Sequence, residues 1–308
     1  MNETTKRIIS AFVIGALVIL ILVMDDYFFW IGAVSFLGVV ALFGLLEFYK
    51  LSDRGIEGRP VRFIGIAFVV VLLLHFYAKF LSMQTRLPHA LYPDFLRSFI
   101  HYMTLDGLMI GLIIVVFVFL TMLYQLIARP IDGTIFSISV TLFGVFYTTF
   151  PVLHAVFYLA FEGGTSILVL IVLTTVMTDA GAYFGGRWFG RHNAGLAVSP
   201  RKTYEGYAAG FVSAVLCVLA TIYGFQYFQN PIAVGYIEGA VLGGVISLIS
   251  VAGDLVESAL KRDARMKDSA SLIPGHGGML DLADALFYTL PFGYYYFAIR
   301  ALTGYASG

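Results

Sequence analysis

Charge is scarce in this chain of 308 residues. Asp, Glu, Lys and Arg make up 12% of it, about half the share usual in a soluble domain. That scarcity excludes an ordinary water-soluble globular protein. The 19 basic and 19 acidic residues cancel, so no net field draws nucleic acid or a generally acidic partner. A single cysteine, Cys217, excludes a disulfide framework and a thiolate metal site. It lies inside an apolar run and reads as packing. There is no internal repeat and no low-complexity linker. A small-x-small cleavage site is also missing after the first apolar run, residues 8–24, which Lys6-Arg7 precedes. An uncleaved anchor is expected there, not a signal peptide.

What the chain has is apolar length. Hydrophobic residues form 59% of it, and several runs reach the roughly 20 residues that a spanning helix needs. The expected fold is an all-α polytopic integral membrane protein of about nine transmembrane helices. These lie near 8–24, 27–48, 63–82, 107–128, 134–161, 165–186, 204–224, 235–261 and 279–299. Residues 83–105 read as a connector, and Pro151 predicts either a kink or a helix followed by a short re-entrant piece. With the N-terminus cytoplasmic, 15 of the Lys and Arg residues fall in cytoplasmic segments and four elsewhere, which satisfies the positive-inside rule. The expected division is a scaffold over 1–164, with few ionisable groups, and a functional region over 165–308.

Within that second region the charges form patterns. Asp254, Glu257, Ser258 and Lys261 recur at i, i+3, i+4 and i+7, so they share a helical face. Asp281 and Asp284, three apart, are expected to do the same on the next helix. Acids gathered at one membrane face repel one another, and a divalent cation resolves the conflict. Magnesium suits such a set because it pairs carboxylate with phosphate oxygen. The competing expectation is Asp–Lys pairing that only fixes helix register. Ser199, Arg201, Lys202 and Thr203 place two cations and two hydroxyls in a turn that opens a helix, which suits a phosphate. His276-Gly277-Gly278 precedes another helix, and its glycines permit close backbone approach. Asp179 lies where an apolar helix meets a glycine-rich exit. Four-residue glycine spacings at Gly181/Gly185, Gly186/Gly190, Gly206/Gly210 and Gly239/Gly243 read as close helix contacts. The histidines at 75, 89, 101, 154 and 192 have no ligand-like spacing.

The stretch 253–284 resembles the signature of the phosphatidate cytidylyltransferases, or CDP-diacylglycerol synthases. Matching positions are Ser258, Leu260, Lys261, Arg262, Lys267, Asp268, Ala270, Ile273-Pro274 and His276-Gly277-Gly278, closing on Asp281 and Asp284. The family pattern closes with Asp-Arg-aliphatic-Asp, whereas Leu282 and Ala283 stand here. Ser199-Pro-Arg-Lys-Thr-Tyr-Glu-Gly206 is similar to the family's second block, and Asp179 opens a segment similar to a third. The resemblance implies nucleotidyl transfer from CTP to phosphatidic acid, or to a related lipid phosphate, in a bacterial cytoplasmic membrane with the site facing the cytoplasm. It further implies Mg2+ at two metal sites, with Asp254 and Asp281 as principal ligands and Asp284 and Asp179 in support. Asp254, Asp281, Lys202 and Lys261 would carry the chemistry. Ser199, Arg201, Lys202, Thr203, Lys261, Arg262, Lys267, His276, Gly277 and Gly278 would bind substrate. The expected partners are CTP, the lipid phosphate and membrane lipids. A homodimer is compatible with the sequence, which fixes no oligomeric state. Two alternatives stay open: a paralogue that uses another lipid phosphate, for which Leu282 is the sign, and a non-catalytic transporter.

Overall fold

The computed structural model describes residues 30–55, 58–84, 92–160, 163–228, 232, 234–271, 273 and 277–303. Secondary structure there is helical: α1 Ile31–Leu51, α2 Arg62–Met83, α3 Asp94–Thr104, α4 Leu108–Ala128, α5 Thr134–Gly144, α6 Phe150–Tyr158, α7 Gly164–Phe189, α8 Tyr204–Tyr227, α9 Tyr236–Asp263, α10 Met279–Ala283 and α11 Leu286–Leu302. Seven helical stretches among the described residues are long and apolar enough to cross a membrane, with α5 and α6 counted as one. The expected span over 8–24 lies outside the described residues.

Three expectations change. The connector over 83–105 contains a helix, α3, whose half-buried Leu96, Phe99, Ile100 and Met103 recur at helical spacing. Asp94, Arg97 and His101 on the same 11 residues keep it from reading as apolar. Of the two readings of Pro151, the re-entrant piece does not form, because the fifth span continues through it as one helical stretch. A π-helical stretch, Val145–Thr149, joins α5 to α6, and its wider turn accommodates the missing proline N–H and the ring. Thr148 Oγ1 donates to the Gly144 carbonyl at 2.8 Å within this turn. The single helix expected over 279–299 is two helices, α10 and α11, with Asp284 and Ala285 between them.

The chain divides into two compact units. One runs through Ala160 and also takes in Asp268–Leu282; the other comprises Phe161–Lys267 and the chain from Ala283 onward. In the first unit, Tyr49 is fully buried and donates its hydroxyl to the Thr141 carbonyl at 2.8 Å. The ring fits because Gly65 faces it: a Cβ there would lie 2.1 Å from the Tyr49 oxygen. Phe48 lies tilted against Tyr49 and Phe143, and Phe143 stacks on Tyr147. His75 and His154 are buried, and the Nδ1 of each lies 2.8 Å from a backbone carbonyl, that of Met103 and Phe150 respectively. Both rings are engaged with the backbone of their own unit.

The second unit is built from α7, α8, α9 and α11. Its glycines meet neighbouring helices closely. A Cβ on Gly185 would fall 2.1 Å from Ala209 Cβ, and one on Gly210 would fall 2.8 Å from the Thr178 carbonyl oxygen. Backbones therefore approach where larger residues would hold them apart. Thr175 and Thr289 join α7 to α11 by a 3.0 Å hydroxyl contact. Glu238 at the start of α9 is held by Arg300 at 2.7 and 3.2 Å.

Candidate active site

The loop between α7 and α8 folds back on itself before the helix begins. Asn193 and Thr203 form an antiparallel bridge. Ala194 N–H donates to the Lys202 carbonyl at 2.8 Å and Tyr204 N–H to the His192 carbonyl at 3.0 Å. Glu205 ties the arm down by accepting from the backbone N–H of Arg191 and His192, at 3.1 and 3.2 Å. Thr203 caps α8: its hydroxyl oxygen accepts from Gly206 N–H at 3.1 Å. Lys202 N–H donates to the Ser199 carbonyl at 3.2 Å, so Ser199 shapes the turn from which Lys202 projects.

The Lys202 ammonium lies against Asp254 Oδ2, with the Tyr207 ring 5.7 Å away. Burial lowers the Lys202 pKa from its ordinary value; Asp179 and Asp284 pull it back up, and Lys261 pushes it down again. One turn beyond Asp254, Glu257 is completely buried and pairs with Lys261 at 2.5 Å, which places this acid and cation on the common face expected of α9. Asp284 also feels Asp179, Glu257 and Lys261. Asp179, Lys202, Asp254, Glu257, Lys261 and Asp284 are thus neighbours within the second unit. Arg262 hydrogen-bonds the carbonyls of Val198 and Met266 at 3.4 and 3.3 Å. Arg201 and Lys267 are exposed.

The first unit holds the remaining signature residues. Asp281 Oδ2 accepts from Ser269 N–H at 2.8 Å, the Ser269 hydroxyl at 2.7 Å and Gly278 N–H at 2.7 Å. Helix α10 stops at Ala283, so the expected shared helical face for Asp281 and Asp284 does not form. Gly277 adopts φ +93°, and a Cβ there would sit 2.5 Å from Asp281 Oδ2. In both glycines the close approach is to the protein's own carboxylates: a Cβ on Gly278 would lie 2.2 Å from Glu47 Oε2. His276 lies outside the described residues.

Glu47 is the residue that the sequence reading passed over. It sits in α1, buried at 7% exposure. It accepts from Met279 N–H at 2.9 Å and Leu280 N–H at 2.8 Å, and its Oε2 lies 2.8 Å from the Ser269 hydroxyl. Its signal was present as a lone acid in an otherwise apolar span, a costly placement that calls for a partner.

Both competing expectations for the acids find support in the geometry. Lys202–Asp254 and Lys261–Glu257 are acid–lysine pairs of the kind that fix register. Yet in the second unit four carboxylates, those of Asp179, Asp254, Glu257 and Asp284, face two ammonium groups, those of Lys202 and Lys261. The hard oxygen donors and the surplus negative charge fit magnesium. Among the described residues, no three His, Cys, Asp or Glu side chains gather closely enough to form a protein-only cage. Magnesium does not need one, since it binds through one or two carboxylates, water and substrate phosphate.

The sequence matches the model of the Cytidylyltransferase family over residues 5–300. It is 33% identical to a phosphatidate cytidylyltransferase of Haemophilus influenzae, covering 96% of this chain and 99% of that one. A phosphatidate cytidylyltransferase of Synechocystis is 30% identical, covering 95% and 96% respectively. One from Bacillus subtilis reaches 44% identity over 122 residues, or 40% of this chain and 44% of that one.

Proposed function

The chain belongs to the cytidylyltransferase family, and from that premise we infer that it is a membrane-embedded phosphatidate cytidylyltransferase. An oxygen of the phosphatidate headgroup attacks the α-phosphorus of CTP. A new P–O bond forms as the bond to the β-phosphate breaks, and pyrophosphate leaves with the electron pair. The products are CDP-diacylglycerol and pyrophosphate. No side-chain nucleophile is required, because the lipid phosphate is already an anion. The reading is supported by the near-full-length similarity to two enzymes bearing this name, together with the Lys202–Asp254 contact beside Asp179 and Asp284. Purified protein given CTP, phosphatidate and magnesium tests it: cytidylate should enter the lipid fraction. A strict requirement for a different lipid phosphate would move the chain to the paralogue alternative.

In this proposal Lys202 and Lys261 bring positive charge to the phosphates, with Arg262, Arg201 and Lys267 near the same loop and helix end. Ser199 and Thr203 hold the turn that aims Lys202. Asp254, with Asp179 and Asp284, would hold magnesium, and Asp281 is a further candidate ligand by resemblance. When bound, the ions neutralise the charge that develops on the phosphates during an in-line displacement.

The proposed orientation puts the CTP side in the cytoplasm. Single cysteines in a Cys217→Ser background should take an impermeant label from the cytoplasmic side at residues 192–198 and at the exposed positions 268 and 271. At 93–98 they should take it from the opposite side. A reversed pattern would contradict the proposed access to CTP.

Leu282 replaces the family's arginine and is half-buried, with its N–H donating to the Gly278 carbonyl at 3.2 Å. Leucine can be accommodated against apolar neighbours, and the other signature side chains are present. Leu282→Arg should therefore change turnover by less than a hundredfold, about 2.7 kcal/mol. A larger rise, followed across magnesium concentrations, would mark the native site as impaired or repurposed.

A further inference from the structure

We propose that Glu47 is a positioning residue: it anchors the start of helix α10 and, through the Ser269 hydroxyl, sets the orientation of the Asp281 carboxylate. All the groups concerned belong to the first unit. Glu47 Oε1 takes the Met279 N–H, and Oε2 takes the Leu280 N–H and lies within hydrogen-bond distance of the Ser269 hydroxyl. These amides open α10 and have no partner inside a helix of five residues. Ser269 Oγ is 2.8 Å from Glu47 Oε2 and 2.7 Å from Asp281 Oδ2. Two carboxylates thus converge on one hydroxyl, which has a single proton to give.

Convergence of like charges is costly unless each oxygen is well supplied with donors. Here the supply comes from the backbone: Ser269 and Gly278 N–H serve Asp281, while Met279 and Leu280 N–H serve Glu47. The Gly278 backbone sits where a Cβ would come within 2.2 Å of both Glu47 Oε2 and Ser269 Oγ. The network therefore closes only with glycine at that position. In this proposal Glu47 is given no direct contact with nucleotide or lipid. Its effect runs through Ser269 and α10 to Asp281, as hydrogen bonds from neighbouring groups orient the ligands of a metal.

The inference rests on the proposed role of Asp281 in handling magnesium and phosphate, so its test has two independent readouts. Full-length protein in detergent is compared as wild type, Glu47→Gln and Ser269→Ala. Amide hydrogen exchange is read across the chain, and kcat, KM and half-activating magnesium concentration are read with CTP and phosphatidate. Glutamine keeps the size of Glu47 but turns one acceptor into a donor facing an N–H or a hydroxyl. Exchange in Gly277–Ala283 should then rise about tenfold or more while α2 and α4 keep wild-type protection. The turnover number should fall about ten- to a hundredfold, the range expected for loss of a hydrogen bond to a charged group. Half-activating magnesium should rise, and KM for phosphatidate should stay within about threefold. Ser269→Ala should move every readout the same way by less, and it decides the matter if Glu47→Gln does not fold.

Locally faster exchange with wild-type turnover would overturn the positioning role. So would an exchange increase spread evenly over α1, α2 and α4, which marks general destabilisation. If the wild type itself transfers no cytidylate, the proposed function fails; local exchange still reports whether Glu47 holds the loop.

Discussion

Asp254→Asn should lower cytidylyl transfer by about a hundred- to a thousandfold, by analogy with the loss that follows removal of one transition-state donor. Asparagine matches aspartate in size and can still accept a hydrogen bond. The change therefore removes charge without removing shape. In the native chain Asp254 faces the Lys202 ammonium, with Asp179 and Asp284 nearby. Neutralising Asp254 lowers the surplus negative charge that makes the cluster suitable for magnesium, and the variant should need more of the ion for half-maximal rate. The protein should still insert and purify, because Asp254 is only partly buried, at 24% exposure, and packing around it is unchanged. EDTA should silence the wild type and added magnesium should restore it. Full activity in Asp254→Asn would remove this residue from the proposed magnesium shell.

Lys202→Met should cost about a hundredfold or more. Methionine keeps the length of the stem and deletes the ammonium, leaving Asp254 without its contact and the nucleotide without a compact cation. Lys202 also carries a pH signature. Burial lowers its pKa below that of an ordinary lysine, so the ammonium form is lost at a lower pH than usual as pH rises. The alkaline limb of the rate profile should therefore begin below the ordinary lysine range. Lys202→Arg, whose guanidinium stays charged, should shift that limb upward in whatever activity it retains. Equal limbs in the wild type and the arginine variant would show that the pH dependence comes from another group.

The sequence made the membrane-spanning helices legible because lipid imposes length and apolarity at once, and few other segments meet both demands. The contacts at Gly185 and Gly210 were legible for a related reason: small residues four apart leave a stripe where backbones can meet. The acid–cation face of α9 followed from helical periodicity alone. Other features depended on contacts that no local pattern records. Helix α3 was hidden by Asp94, Arg97 and His101, which lower its apolarity although one side is half-buried. Pro151 pointed to a kink or a re-entrant piece, and the π turn at Val145–Thr149 lets the helical stretch continue through it. Asp281 and Asp284 had helical spacing, yet α10 ends between them.

Glu47 gives the clearest case of a contact that spacing could not reveal. Its partners, Ser269, Met279 and Leu280, lie more than two hundred residues away. The intervening chain gives no spacing rule that would join them. The glycines at 277 and 278 were visible as sites of close approach. That the approaching groups include Asp281 and Glu47 became evident only with the fold.

The most direct measurement follows both halves of the nucleotide. Purified protein in detergent is given phosphatidate, magnesium and CTP labelled either at the α-phosphate or at the terminal phosphates. The proposed function predicts α-label in extractable CDP-diacylglycerol, terminal label in pyrophosphate, and equal molar amounts of the two products. Omitting phosphatidate should abolish both, and Asp254→Asn should lower both together. Release of pyrophosphate without cytidylate in lipid, or no release in the presence of all three components, would contradict cytidylyl transfer by this chain.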